Sequence, residues 1–512
     1  MKRPDTVAKC PGCWPPVPNP QPLTPFLFLF LLLLLSIPRT SSASPIITSI
    51  SIHGNVRTRT ETVTRELLFA VGDTLDVSLV AESERNLRAL LFLGAVRIVT
   101  ASDSSGVDVT VHIQDLYARG SSLRLSGEID ELSYGIVAVD YNLFGRGQTA
   151  RVSLDHDAIT GNWATGSYLI PRLSGSRVRL YAFAGGGSEG HDIRTTLSQP
   201  FYALSARTSW GLDLASRRFI QRLYSSEALV DKYDDRLDSG HVWYARSYGS
   251  QVKVRPDVEF AVSDRSFSPE PGFTYAPTDR TRVLPSAGLT IWRPHYETKR
   301  FVRELGRTED LQTGSFGILR AGFSSSALGS DRSFAFYRAQ FSPRLRPHPD
   351  LYLFGLAYLN FRREDGRPNN IHAGVELAAY RQVAGLHTFA LRVRWDAIAR
   401  MEDSSQLLLG VNRGLRGYSP RRFDGSRRLI LNAEARPTFY RHPRFIVGAS
   451  LFSDAGTAWT PGVTSARLNA SAGAGLRVSF PKIYDHMLIR TDLAYGFRNQ
   501  FLQLSFGIGQ YF

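Results

Sequence analysis

Residues 502–512 read LQLSFGIGQYF, and this stretch is the strongest indication of the fold class. Apolar residues recur at every second position, the period that places side chains on one face of a β-strand. The apolar positions are Leu502, Leu504, Phe506, Ile508 and Phe512, with Gln510 as the interruption. A strand with such an apolar face must be covered either by lipid or by a protein core, and an aromatic last residue is typical of membrane barrels.

The chain from Leu116 onward favours lipid. It consists of alternating runs of roughly ten residues separated by Gly, Ser, Asp, Asn and Arg, about 20 runs in all. Examples are 123–129, 148–154, 178–183, 351–359, 389–395, 429–435 and 487–495. An even number of strands returns both ends of the sheet to one side of a membrane, and closure removes the exposed sheet edges. We therefore predict an all-β transmembrane antiparallel barrel over residues 116–512.

The sequence contains no segment that is long and apolar enough to form a membrane-spanning helix. The one continuous apolar run, Phe26–Leu35, is shorter than the roughly 20 residues that a spanning helix needs. Basic residues precede it, and Ser41 and Ala43 follow it in the small-residue spacing of a cleavage site. Residues 1–43 are therefore predicted to be a signal peptide, and the rest of the chain is predicted to be exported.

Cysteine and arginine usage narrow the function classes. Cys10 and Cys13 both fall in the predicted signal peptide, and no partner lies at metal-ligand spacing, so neither a metal nor a cofactor is expected. The net charge is +15, and only six of the 61 basic residues are lysine. Arginine suits lipid phosphates, ion pairs inside a barrel or nucleic acid, and export argues against nucleic acid.

Residues 46–115 have a different pattern. Alternating isoleucines lead to a turn at Gly54, and Thr58 with Glu61 forms a capping-box pair that opens a helix. A second helix is predicted over 80–91, and two strands follow, over 95–100 and 107–113. The predicted order is βααββ, a small α+β domain.

These residues resemble a known family. The βααββ unit with Gly54-Asn55 and 93–96 (LGAV) resembles a POTRA domain, and the remainder resembles the barrel of the BamA/TamA superfamily of outer-membrane assembly factors. Four short motifs in the right order carry the likeness: 142–148 (NLFGRGQ) at the first periplasmic turn, 415–418 (LRGY) on a long loop, 452–456 (FSDAG) on a strand, and 508–512 (IGQYF) on the closing strand.

The resemblance implies an architecture and a function. The family barrel has about 16 strands, fewer than the runs counted above, so we expect 16, with some runs paired into single strands. It implies an assembly factor in the outer membrane of a Gram-negative-type bacterium, with one POTRA domain in the periplasm. The partners would be unfolded outer-membrane protein clients, outer-membrane lipid and periplasmic accessory proteins. Two alternatives stay open: a translocator that passes a secreted partner through its pore, and a passive porin-like barrel.

The resemblance also implies a site. Arg416 lies on a loop that folds back into the barrel, and a buried arginine requires carboxylates. Glu434 and Asp454 are the expected partners on the two following strands, with Gly417, Tyr418 and Gly456 completing the lumenal lock. We expect the other loop arginines, Arg413, Arg421 and Arg422, to be solvated.

The last strand defines a second site. It should meet the first barrel strand, residues 121–129, at a lateral seam where a client hairpin could pair. Gly507 and Gly509 are expected to weaken pairing there, and Phe512 to anchor at the lipid boundary.

No enzyme is predicted. Residues 186–190 (GGSEG) fit the Gly-x-Ser-x-Gly pattern of a hydrolase elbow, but no helix follows Ser188, which indicates a hairpin turn. The eleven histidines are scattered without metal-ligand spacing.

Overall fold

The computed structural model describes residues 45–128, 131–403, 405–481 and 488–512. The predicted signal peptide, 1–43, lies outside these ranges.

The N-terminal domain has the predicted βααββ order. Its elements are β1 Ile47–His53, α1 Thr60–Thr64, α2 Val77–Arg88, β2 Leu93–Ser102 and β3 Val107–Asp115. The sheet order is β1-β3-β2, with β1 parallel and β2 antiparallel to β3. The alternating valines of β3 are fully buried under the two helices, which is the core that the sequence pattern predicts.

The helix starts differ from prediction. The N-cap of α1 is Arg59, not Thr58, because the Thr58 hydroxyl donates to Asp115 Oδ1 at 2.5 Å and so joins the turn to the end of β3. The second helix begins three residues early because the Asp76 side chain accepts from the Ser78 amide at 2.8 Å, an ordinary N-cap.

The remaining chain forms a barrel. Its first ten strands are β4 Arg119–Glu128, β5 Leu132–Leu143, β6 Gln148–Asp157, β7 Gly161–Ile170, β8 Arg179–Gly187, β9 Gly190–Gln199, β10 Thr208–Ser225, β11 Ala228–Arg246, β12 Lys253–Pro269 and β13 Arg280–Trp292. A separate two-stranded hairpin follows, β14 Tyr296–Arg300 and β15 Thr308–Gln312. The barrel then continues with β16 Phe316–Ser324, β17 Phe334–Ser342, β18 Arg344–His348, β19 Leu351–Glu364, β20 Arg367–Val383, β21 His387–Ala399, β22 Arg427–Arg436, β23 Thr438–Arg441, β24 Ile446–Trp459, β25 Asn469–Ser479, β26 Leu488–Gly496 and β27 Phe501–Ile508.

The barrel is closed, antiparallel and 20-stranded over the described ranges, so the expected 16 strands were wrong. Each alternating run is a strand of its own, and the count of about 20 taken from the runs themselves was the better guide. Two strands are interrupted: β17 and β18 both pair with β19, and β22 and β23 both pair with β24. Pro343 and Pro437 stand at the two interruptions, since proline has no amide hydrogen for the ladder.

The two faces of the barrel differ in polarity. Exposed apolar side chains cover the outer face, among them Leu123, Ile136, Leu154, Leu214, Val258, Leu319, Leu391 and Leu493. The inner face carries arginine–carboxylate pairs, such as Arg218 with Asp234 at 2.9 Å and Arg428 with Asp396 at 2.7 Å. The arginine-rich composition thus serves ion pairs inside the barrel. In the described part of the chain, no helix has the length and apolar character to span a membrane.

The N-terminal domain is docked against one end of the barrel, here called the domain end. The turn 144–147 between β5 and β6 is one of the contacts: the Gly145 carbonyl accepts from the Thr62 hydroxyl at 2.8 Å and from the Arg59 amide at 3.0 Å. The Asn142 amide nitrogen donates to Thr58 Oγ1 at 2.8 Å. The motif 142–148 is therefore a docking turn as well as a connection between strands.

Candidate functional site

A long loop, residues 400–426, connects β21 and β22 at the end of the barrel away from the domain. We call it the lumenal loop because its middle section folds back into the barrel. Leu415, Arg416 and Tyr418 are fully buried there. Gly417 has φ +81°, and a Cβ at this position would come within 2.9 Å of the Gly496 amide nitrogen, so only glycine fits.

Arg416 is the centre of the site. Its Nε and Nη2 bind the two oxygens of Asp454 at 2.7 and 2.9 Å, a bidentate pair. Its Nη1 lies 2.7 Å from Glu434 Oε1 without hydrogen-bond alignment, and 3.5 Å from Asp492 Oδ2. The structure therefore brings together Arg416, Glu434 and Asp454, as the sequence motifs implied.

Aromatic rings enclose the guanidinium. Its carbon lies 3.4 Å from the centre of the Phe452 ring and 4.0 Å from that of Tyr511, and cations are attracted to such ring faces. The rings exclude water, so the carboxylates compensate the charge in a desolvated setting. Removing one partner from such a group costs about 3 to 5 kcal/mol.

Asp492 is a member of the site that the sequence reasoning missed. It is fully buried on β26 and also pairs with Arg477 at 2.6 Å. Glu434 is similarly shared with Arg436 at 2.8 Å. A signal existed in the sequence: Arg490 and Asp492 share one parity in a run whose other residues, apart from Thr491, are apolar, which places both on the inner face.

The other predicted lock residues also contact the loop. The Gly417 amide donates to Gln503 Oε1 at 2.8 Å, and the Tyr418 hydroxyl donates to the Ala470 carbonyl at 2.9 Å. Glycine is required at position 456 because a Cβ there would lie 2.9 Å from the Leu429 carbonyl oxygen, closer than the two atoms can approach. The loop is thus bound to strands β24 to β27 on one side of the barrel.

The outer section of the lumenal loop binds the opposite wall. Glu402 pairs with Arg280 at 3.0 Å, Arg282 at 2.5 Å and Arg362 at 2.5 Å. Burial alone would raise the pKa of Glu402, but Arg362 and the two other guanidinium groups outweigh it and lower the pKa to about 2. The loop therefore spans the lumen at this end.

The expectation that Arg421 is merely solvated was wrong. Arg421 pairs with Glu131 on the turn after β4, and its guanidinium carbon lies 4.7 Å from the Tyr224 ring centre. Arg413 and Arg422 fit the expectation, because both are exposed; desolvation nevertheless lowers the pKa of Arg413, and the side chain of Arg422 remains 45% exposed beside Glu227.

The seam between β27 and β4 is short. Only two residue pairs join these strands in the described chain, Ser505 with Glu128 and Phe506 with Gly127. By comparison, β27 pairs with β26 over its whole length from Phe501 to Ile508. Residues 119–126 of β4 therefore present an open edge.

Gly507 and Gly509 lie where the seam opens. Gly507 has no partner on β4 within the described residues, and a Cβ there would meet Arg490 Nη2 at 2.1 Å, so this glycine leaves room for a guanidinium. Gly509 has φ +81° and its amide makes a last bond to the Leu488 carbonyl at 2.8 Å. The chain bends inward at this point.

Phe512 does not lie at a lipid boundary as expected. The bend at Gly509 turns it into the lumen, where Arg436 Nη2 donates to its carbonyl at 2.8 Å and Arg392 lies 5.3 Å from its ring centre. The physical reason is that Tyr511 pairs with the lumenal loop: its hydroxyl donates to the Val411 carbonyl at 2.6 Å and accepts from the Gly414 amide at 3.1 Å.

Residues 186–190 span the hairpin between β8 and β9, with the turn at 188–189, as the sequence predicted. The Ser188 hydroxyl accepts from the Asn162 amide at 3.1 Å, an ordinary turn contact.

Comparison with known proteins gives one family match. The POTRA family model, described as a surface antigen variable number repeat, matches residues 45–115, so the N-terminal domain is a POTRA domain. No curated protein has a sequence that matches the chain. Among the solved structures that resemble it are the following three, each of which matches 91% of its length.

The first is BamA from Haemophilus ducreyi lacking POTRA domains 1–3, with 13% identity, 84% of that chain covered and a TM-score of 0.41. The others are CdiB from Acinetobacter baumannii, with 12% identity, 73% coverage and a TM-score of 0.45, and CdiB from Escherichia coli, with 10% identity, 77% coverage and a TM-score of 0.46.

Proposed function

We propose that this BamA/TamA-type barrel with one POTRA domain is an outer-membrane assembly factor that inserts unfolded β-barrel clients at its own seam. The POTRA domain would lie in the periplasm and the apolar outer face of the barrel in outer-membrane lipid. No covalent chemistry and no cofactor are required, because strand pairing supplies the recognition. Periplasmic accessory proteins are the other expected partners.

The short seam is the observation that carries this proposal. A closed barrel normally leaves no unpaired strand edge, since such an edge in lipid leaves amide and carbonyl groups without partners. Two pairs join β27 to β4, and eight residues of β4 have no strand on that side in the described chain. An incoming strand could pair with them without breaking a full ladder.

A path to this edge starts at the POTRA domain. A groove of about 1190 Å³ runs between the domain and the beginning of β4, lined by Val56, Tyr117, residues 119–121 and Phe445 among others. Val56 and Tyr117 are 88% and 67% exposed. The lining combines apolar and aromatic side chains with charged ones, among them Arg57, Asp115 and Arg444. Such a mixed lining suits an extended client segment whose apolar and polar side chains alternate.

The contents of the lumen argue against a passive porin. The lumenal loop crosses one end, and the β14–β15 hairpin packs against the inner wall at the domain end. A solute would meet side chains at both ends. The same obstruction means that a translocator would have to displace both segments.

A disulfide across the seam tests the proposal. Ser505→Cys and Glu128→Cys occupy opposite positions of the ladder, and Cys10 and Cys13 are replaced by serine. Purified protein in liposomes is mixed with a urea-unfolded small barrel protein, whose folding is followed by its gel migration before and after boiling. We expect insertion to stop on oxidation and to return with reductant, because the two pairs that still join β27 to β4 can then no longer separate to let an incoming strand extend along the whole of β4.

The matched control is a disulfide between Ala138→Cys and Val152→Cys, which joins two strands that already pair over most of their length. It should leave insertion unchanged. Insertion that persists through a fully oxidised seam, or that never exceeds empty liposomes, would refute the proposal. If the locked variant still exports a secreted partner from cells, the chain is a translocator instead.

A further inference from the structure

An inserted segment, residues 293–315, crosses the lumen at the domain end. We call it the insert hairpin; it leaves the wall between β13 and β16, and its strands β14 and β15 pair only with each other in the described structure. Its tip reaches the far wall, where the Phe301 carbonyl accepts from the Thr388 hydroxyl and the Arg300 carbonyl accepts from Gln382 Nε2 at 2.5 Å. Leu305 packs with Ile446 and Leu488 on still more distant strands.

The last residues of the chain pack against the insert hairpin. Val302 and Leu311 are fully buried against Tyr352, Phe354 and Tyr380, lumen-facing residues of β19 and β20, and Phe512 packs on this cluster. We call residues 509–512 the tail. The tail therefore lies between the lumenal loop, through Tyr511, and the insert hairpin, through Phe512.

The open edge of β4 fits the tail in register. Continuing the two existing seam pairs places Gly507 opposite Ser126 and Phe512 opposite Ser121. Ile508 already faces outward, 46% exposed, and Phe512 shares its parity, so in that register its ring would face lipid. The alternating pattern of the last strand is thus the pattern of a tail paired with β4, whereas the structure holds the tail inside.

The POTRA domain binds the insert hairpin. Arg88 on α2 binds both oxygens of Asp310 at 3.0 and 3.1 Å, and the guanidinium carbon of Arg85 lies 4.4 Å from the ring centre of Tyr296. A cavity of about 360 Å³ separates the beginning of β2, the edge strand of the POTRA sheet, from residues 298–308. A segment that added to this edge would compete with the insert hairpin for space.

We propose that the insert hairpin is a POTRA-controlled latch: it retains the tail inside the lumen, and its release lets the tail pair with β4 and close the seam. This goes beyond the proposed insertion activity, since it concerns how the seam itself is held open. The two states differ in which surface covers Phe512, the latch or lipid.

A cross-link reports the released state without any client. Gln510→Cys and Leu123→Cys lie opposite each other in the extended register, whereas in the described structure the Gln510 side chain accepts a hydrogen bond from Arg477 Nε at 3.3 Å inside the lumen. With Cys10 and Cys13 replaced by serine, the disulfide yield in native outer membranes measures the population of the paired tail. Heat-modifiable migration shows that each variant has folded.

Three changes act on the latch. Arg88→Ala should raise the cross-link yield by up to about fivefold, the shift expected when a half-buried ion pair ceases to bias a two-state equilibrium. Replacing residues 295–313 with a glycine-serine linker should raise it further. Combining Arg88→Asp with Asp310→Arg should restore the low yield, and Arg97→Ala, an exposed POTRA arginine on β2, is the matched control.

An unchanged yield after removal of the insert hairpin, in a folded barrel, would overturn the latch. An increase in the linker variant but not in Arg88→Ala would overturn control by the POTRA domain.

Discussion

At the scale of single residues, the site depends on a buried cation with shared counter-ions. Arg416 contacts three carboxylates, and two of these are also bound by Arg436 and Arg477. Such a network resists the loss of peripheral members better than the loss of its centre, because the centre has no water to replace its partners.

We predict that Arg416→Ala releases the lumenal loop, at a cost of about 3 to 5 kcal/mol, the range for breaking a buried pair. Arg416→Lys should fail in part, because an ammonium cannot bind Asp454 in a bidentate way. The measurement is protease cleavage within 400–426 in intact outer membranes. Arg422→Ala is the control, since that side chain is half exposed, and Arg421→Ala should lie in between because of Glu131. Additive effects of Arg416→Ala and Asp454→Ala would show that the two do not interact.

Glu402 gives the loop an acid dependence. Its pKa of about 2 in the fold lies below the usual value near 4.3, so its stabilising effect is complete above that usual value and is lost as the pH falls through about 2. We predict that pepsin cleavage of the loop stays slow down to about pH 4 and accelerates toward pH 2. Glu402→Gln should cleave at one rate over this interval, after correction for pepsin activity. Equal pH profiles for the two proteins would contradict the assignment.

At the scale of elements, the ends of strands decide the behaviour of the seam. Strand β27 pairs fully on one side and barely on the other, and the bend at Gly509 directs the chain inward. The element is therefore a seam strand followed by a lumenal tail, and Phe512 belongs to the packing of the insert hairpin.

We predict that Phe512→Ala loosens the insert hairpin, because the ring covers the cluster around Val302 and Leu311 and lies 5.0 Å from the Arg436 guanidinium carbon. Protease cleavage at Arg300, Arg303 or Arg307 in the purified barrel should increase several-fold. The amount of the protein in the outer membrane should also fall if the terminal aromatic residue is recognised during assembly. The conservative Phe512→Tyr should preserve both. Unchanged cleavage in Phe512→Ala would show that the ring does not support the hairpin.

At the scale of the whole molecule, two obstructions lie in series along the lumen. The lumenal loop crosses one end and the insert hairpin the other, each bound to opposite walls. Resistances in series add, so the larger controls the current.

We predict that the protein conducts poorly in planar bilayers and that opening one end changes little. Replacing residues 295–313 with a linker, or residues 403–424 with another, should each leave the conductance low. The double variant should conduct like an open barrel of about 20 strands, wide enough for a water-filled channel. A single replacement that gives full conductance would show that the other segment does not obstruct the lumen.

The sequence by itself determined the elements. Alternation over the runs after Leu116 determined which side chains face outward. The number of strands counted from these runs was also closer to the 20 observed over the described residues than the number implied by the family resemblance. The βααββ order and its buried valines followed from periodicity alone, because period and burial are local properties of a chain. Arg416, Glu434 and Asp454 were found through the family resemblance of short motifs, and the need of a buried arginine for carboxylates only agreed with it.

Only the tertiary structure decided how these elements meet. Asp492 joins Arg416 because β26 returns beside β24 across β25, a neighbourhood that no local pattern specifies. The alternation of the tail is compatible both with pairing to the β4 edge and with a place in the lumen, so the predicted position of Phe512 was wrong. Its position depends on the contact of Tyr511 with the lumenal loop, about 100 residues earlier in the chain. It also depends on the insert hairpin, whose short strands carry no membrane pattern. Alternation determines which face a residue lies on, but the choice between competing partners for one face is settled by contacts between distant segments.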